Sequence, residues 1–128
     1  MLAERDVSKQ VVDFLAFRHW RPIRMQRTVV PGQFQTGEPG ISDYLFCYYF
    51  DKPVGSGALL WIEFKSPRPG SKRSEQQKKW QAREHARGAL VVTVFDFVQF
   101  EAWYRETFAW LHARTGQQEL ALADEEKW

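Results

Sequence analysis

Apolar and polar positions recur along the chain with two different periods, and the changes of period divide it into seven elements. Residues 3 to 17 place Val7, Val11, Phe14 and Leu15 on one stripe at helical spacing, which predicts a first helix. Glu4 lies three residues before Val7, on that inward stripe. Trp20 to Val30 alternates loosely and predicts a strand, and Pro22 assigns it to a sheet edge because it has no N–H for a ladder. Two prolines and three glycines between Pro31 and Gly40 predict a loop. Tyr44 to Phe50 reads as the next strand, with Asp51 to Gly57 as a hairpin connection. Ala58-Leu59-Leu60-Trp61-Ile62 then opens an apolar strand that ends in Glu63-Phe64-Lys65. Ser66 to Arg73 is a stiff, basic loop.

Ser74 and Gln77 have the spacing of a capping box, so a second helix is expected from Ser74 to about Arg87, ended by Gly88. Its apolar content is thin: Trp80, Ala82 and Ala86. Ala89 to Phe95 is continuously apolar, as in a strand buried on both faces. Asp96 caps a last helix whose stripe is Phe100, Trp103, Tyr104, Thr107, Phe108 and Leu111. The order helix, strand, strand, strand, helix, strand, helix predicts an antiparallel meander and then a right-handed crossover through the second helix. That is an α/β fold with a mixed central β-sheet flanked by helices.

A chain of 128 residues with 44% hydrophobic and 27% charged residues is long enough for one real core and too short for two. The expected division is a domain over residues 1–116 and a polar, acidic tail over 117–128. Six Trp and ten Phe imply that rings fill much of the interior. No apolar stretch approaches the roughly 20 residues that span a bilayer. The first residues lack a signal-peptide pattern, so a cytoplasmic location and no membrane partner are expected. The single cysteine, Cys47, excludes an internal disulfide and a thiolate zinc cluster, and its apolar strand marks it as a small buried hydrophobe. His19, His85 and His112 have no metal-ligand spacing.

Glu63 and Lys65 are not required by folding. Two apart on a strand, they share a face, with attachment points roughly 7 Å apart. Asp43, at the head of the preceding strand, adds a second carboxylate. Hard divalent cations take oxygen ligands, so one Asp, one Glu and a backbone carbonyl suffice for Mg2+. Lys65 beside them is placed to orient or deprotonate a water, or to stabilise an anionic transition state. Taken singly, each of these charges reads as a solvated strand end. The net charge is only +2, but Lys65, Arg68, Lys72, Arg73, Lys78 and Lys79 crowd one segment. A basic segment beside an oxygen-ligand site suits a phosphate-bearing partner.

Glu4 on the first helix, Gly40-x-x-Asp43, Glu63-x-Lys65, then Ser74-x-x-Gln77 on a helix followed by Gly88 and a Val-rich strand resemble the VRR-NUC branch of the PD-(D/E)XK nucleases. The resemblance covers roughly residues 3 to 96. It implies a restriction-endonuclease-like core and a Mg2+-dependent deoxyribonuclease, with Mn2+ as a substitute, related to Holliday junction resolvases. By the same resemblance, Asp43, Glu63 and the Phe64 carbonyl would bind the cation and Glu4 would complete the acidic cluster. Lys65 would activate or position the attacking water, and Gln77 would orient Lys65 or that water. Ser42 stands where the family usually has Pro before the Asp, and Arg73 precedes Ser74 where an apolar residue is common.

The function expected is a structure-selective DNA endonuclease, probing branched substrates such as Holliday junctions. A homodimer is expected because two-fold symmetric DNA is cut by two sites related by the same symmetry. Arg68, Lys72, Arg73, Lys78 and Lys79 would contact phosphates. The alternative is a non-catalytic DNA-binding subunit of a repair, recombination or packaging complex.

Overall fold

The computed structural model describes residues 4–25, 38, 40–66 and 75–112. Their elements are α1 (Glu4–Phe17), β1 (Arg21–Arg24), β2 (Tyr44–Tyr49), β3 (Gly57–Phe64), α2 (Glu75–Ala86), β4 (Leu90–Val94) and α3 (Phe97–Thr107). The chain divides into two compact units, Met1–Phe97 and Val98–Trp128. The first contains the whole sheet and the helices α1 and α2.

The strands lie in the order β1-β2-β3-β4. β1 pairs antiparallel with β2, β2 antiparallel with β3, and β3 parallel with β4. The expected mixed α/β sheet is therefore present, with α2 making the crossover that a parallel pair requires. Strand β1 is the edge strand that Pro22 predicts. Residues 26–30 of the expected strand, the Pro31–Gly40 loop apart from Glu38 and Gly40, most of the basic loop and the acidic tail lie outside the described residues.

Side chains on β3 sort by parity. Leu60, Ile62 and Phe64 are buried on one face, and Phe46, the register partner of Leu60, joins them with no exposure. Trp61 and Glu63 take the other face, where the Trp61 ring meets Trp80 of α2 edge-on at 4.8 Å. Helix α1 buries Val7, Val11 and Leu15 and packs against β1 and β3. It ends in a Schellman motif: His19 N–H donates to the Ala16 carbonyl at 3.1 Å and Trp20 N–H to that of Leu15 at 3.0 Å. The buried Trp20 then sets its ring against Tyr48, centroids 5.5 Å apart.

Two expectations are corrected. Strand β4 is not buried on both faces: Leu90 to Thr93 are half-buried and only Val94 is buried, because β4 is the last strand of the described sheet. On α2, Ala82 and Ala86 are exposed, and the buried side chains are Gln77, Trp80 and Gln81. Ala82 and Ala86 lie two and six positions from Trp80, not the three or four that share a helix face, so they turn away from the sheet. Cys47 is a free, buried thiol, as its strand implies.

In the second unit the stripe of α3 and the turn after it buries Phe100, Tyr104, Phe108 and Leu111. Tyr104 and Phe108 stack at a tilt, 4.9 Å between centroids. Asp96 directly precedes α3, at the position of an N-cap. No helix of the described residues is long and apolar enough to cross a membrane.

Helix α2 ends as α1 does, with Gly88 N–H bonded to the His85 carbonyl, Ala89 N–H to that of Glu84, and Gly88 at φ 95°. A Cβ at Gly88 would meet nothing within 4 Å, so only backbone strain opposes a side chain there. Gly88→Ala is expected to lower the unfolding free energy by about 1 kcal/mol. Urea denaturation of the two proteins measures this, and equal midpoints would contradict the assignment.

Candidate metal-binding and catalytic site

Asp43 is the residue before β2. The register Tyr44↔Ile62 sets it opposite Glu63 when the pairing is continued by one residue. Two hydrogen bonds fix that junction. The Asp43 backbone N–H donates to Glu63 Oε2 at 3.0 Å. The Phe64 backbone N–H donates to Asp43 Oδ2, also at 3.0 Å. Each carboxylate thus holds the main chain of the strand that carries the other. Met25 N–H, donating to the Asp43 carbonyl at 2.8 Å, ties the same residue to the end of β1.

Glu63 is buried, with 3% of its surface exposed, so its charge must be compensated within the protein. Besides Asp43, Gln77 Nε2 donates to its Oε1 at 2.8 Å, and Lys65 Nζ lies 3.5 Å from the same oxygen. Gln77 reaches in from the first turn of α2. Lys65 is held by its backbone N–H, which donates to the Val94 carbonyl of β4 at 3.0 Å. The strand alternation predicted for Glu63 and Lys65 is therefore realised, with the two side chains on one face and close together. A strand residue turns its N–H and C=O toward the same neighbour, so the Phe64 carbonyl is turned to the Asp43 side of β3.

Four sequence-predicted residues, Asp43, Glu63, Lys65 and Gln77, thus come together with the Phe64 backbone at the end of β3. Glu4 does not join them. It is exposed at the start of α1, and among the described residues no group of three or more His, Cys, Asp and Glu side chains is placed to hold a metal ion. Lys78 and Lys79 are exposed on α2, and Lys78 pairs with Glu75 at 3.3 Å. Arg68, Lys72, Arg73 and the cap residue Ser74 lie outside the described residues.

Sequence reasoning missed the turn before Asp43. Gly40 has φ 83°, and Ile41 N–H donates to the Glu38 carbonyl at 3.2 Å. Pro then Gly in Glu38-Pro39-Gly40-Ile41 is the signature of a type II turn and was the signal available. What the sequence does not reveal is the neighbour. A Cβ on Gly40 would lie 2.3 Å from the Gln76 carbonyl oxygen and 2.8 Å from the Gln77 nitrogen, so the turn rests directly on the backbone of α2. From the same turn, Glu38 Oε2 accepts a hydrogen bond from Trp80 Nε1 at 2.7 Å. Ser42 is fully buried and its Oγ has no hydrogen-bond partner among the described residues. An orphaned hydroxyl of this kind costs about 1–3 kcal/mol.

No protein-family model, curated protein or solved structure matches the chain.

Gly40→Ala combines left-handed strain with a clash against main chain that cannot rotate away. It is expected to destabilise by at least about 2 kcal/mol, more than Gly88→Ala. Ser42→Ala removes the unpartnered hydroxyl and is expected to be neutral or stabilising by up to about 1 kcal/mol. Chemical denaturation of the three variants checks both statements. A Gly40→Ala protein as stable as wild type would show that the turn does not rest on α2.

Proposed function

We propose that this chain is a divalent-cation-dependent nuclease of the PD-(D/E)XK type, similar to the VRR-NUC group, that hydrolyses phosphodiester bonds in structured DNA. The observation that carries this reading is the reciprocal bonding of Asp43 and Glu63 beside Lys65 and Gln77. Buried carboxylates are uncommon on a strand unless paired, and a fold needs no such cluster at a strand end. The donor set fits the group it would bind: Asp43, Glu63 and the Phe64 carbonyl are all hard oxygen donors, the kind Mg2+ and Mn2+ take. A bound cation would supply charge neutralisation at the phosphate and a more acidic water.

The chain's own residues do the rest. Glu63 is locked in one orientation by the Gln77 amide and the Asp43 N–H, so no reorganisation is needed when charge develops nearby. The Lys65 ammonium, in contact with Glu63, is positioned to hold a nucleophilic water or a non-bridging phosphate oxygen. Lys78 and Lys79 on α2, with Arg68, Lys72 and Arg73, would supply phosphate contacts, and these carry affinity without base specificity. Branched DNA such as a Holliday junction, cut by a homodimer, is the substrate and assembly this reading favours.

The test is incubation with linear, nicked, flapped and four-way DNA in Mg2+ or Mn2+. Cleavage is expected to be metal-dependent and to fall more than about 100-fold in Asp43→Ala, beyond what loss of an outer-shell partner costs. Gln77→Ala, which removes only the support of Glu63, is expected to lose about 10- to 100-fold. Undiminished cutting by Asp43→Ala would place the chemistry elsewhere. Binding to all substrates without cleavage in either metal would select the non-catalytic DNA-binding subunit instead.

A further inference from the structure

The two bonds that hold α2 over β3 form successive rungs. Gln77 and Trp80, three residues apart, share one face of the helix. Gln77 bonds Glu63, and Trp80 packs edge-on against Trp61, two residues earlier on the same face of β3. The edge-on ring contact has a preferred geometry but holds it only weakly, so it does not by itself fix the rotation of the helix. A roll of about 20° moves a side-chain tip at the ~5–6 Å outer radius of a helix by about 2 Å, enough to break the Gln77–Glu63 bond. Gly40 limits how closely the turn and helix approach, but it too does not by itself fix that rotation.

The directional restraint comes from Glu38. Trp80 is 1% exposed, so its indole N–H needs a protein partner, and the partner it has is a carboxylate at 2.7 Å. Glu38 sits in the turn that leads into Asp43, so one short segment sets the position of a cluster carboxylate and the rotation of the helix that carries Gln77.

We infer that Glu38 is a positioning residue: by bonding Trp80 it fixes the rotation of α2 that brings the Gln77 amide onto Glu63, and so tunes the cation affinity of the Asp43–Glu63 pair. This rests on the nuclease reading for the cation, but not for the geometry, and the test separates the two. The side-chain bond that Glu38 makes is to Trp80, not to a member of the Asp43–Glu63 pair.

The experiment uses the full chain with Glu38→Ala, which removes the acceptor, Glu38→Gln, which keeps one, and Trp80→Phe, which keeps a ring but loses the donor. Two readouts are taken: Mn2+ affinity by electron paramagnetic resonance without DNA, and the NMR resonance of the Gln77 side-chain amide. Glu38→Ala and Trp80→Phe are each expected to weaken Mn2+ binding about ten-fold, the lower end of what losing support for a metal ligand costs. Because both remove the same bond, the double variant is expected to be no weaker than either single one. Glu38→Gln is expected to stay within about two-fold of wild type, since an amide oxygen still accepts from the indole. The Gln77 amide resonance should move in the first two variants and not in the third.

Unchanged Mn2+ affinity and an unmoved Gln77 resonance in Glu38→Ala would overturn the inference and leave the nuclease reading standing. If wild type binds no Mn2+, the nuclease reading fails, and the Gln77 resonance alone decides whether Glu38 positions it. Should Trp80→Phe fail to fold, the exposed Glu38 variants carry the test by themselves.

Discussion

The reciprocal hydrogen bonding of Asp43 and Glu63 is the constraint on which the rest depends. A buried carboxylate is tolerated only when donors replace the water it loses, and here the replacement is drawn from three separate elements. The Asp43 N–H comes from the head of β2, the Gln77 amide from α2, and the Lys65 ammonium from the end of β3 itself. Satisfying one charge thus joins two strands and a helix at one point. In the sheet β3 lies between β2 and β4, so its end meets Asp43 on one side and, through the Lys65 N–H, Val94 on the other.

From that point the route to function is short. Oxygen donors and a cationic side chain are gathered at one strand end, with exposed basic residues on the adjoining helix. Such a constellation is suited to a metal ion and a phosphate together, because each compensates the other's charge.

Much of this was legible in the sequence because the relevant periods are rigid. Residues two apart on a strand share a face, so Glu63 and Lys65 could be placed together before any coordinates. The capping-box spacing put Gln77 in the first turn of α2, and Gly88 marked that helix's end. The failures arise where tertiary neighbours decide. Gln81 is buried and Ala82 exposed: helical spacing from Gln77 puts the first inside and the second outside, but the polar and apolar residue types there run against it. Glu4 follows the stripe of Val7 and Val11 yet is exposed, because the first residue of a helix need not be covered by what its later turns pack against. The role of Glu38 depends on an indole 42 positions away in sequence, and the seat of Gly40 on a peptide of α2 is equally invisible to local pattern.

The central claim is that Asp43 and Glu63 converge on one cation beside Lys65. Paramagnetic broadening of backbone amide resonances by substoichiometric Mn2+ tests it most directly, because the effect depends on distance alone and needs no substrate. The account predicts that Asp43, Glu63, Phe64 and Lys65 lose intensity first and together, and that Asp43→Ala removes the effect. Broadening centred on another part of the chain, or broadening that Asp43→Ala leaves intact, would contradict it.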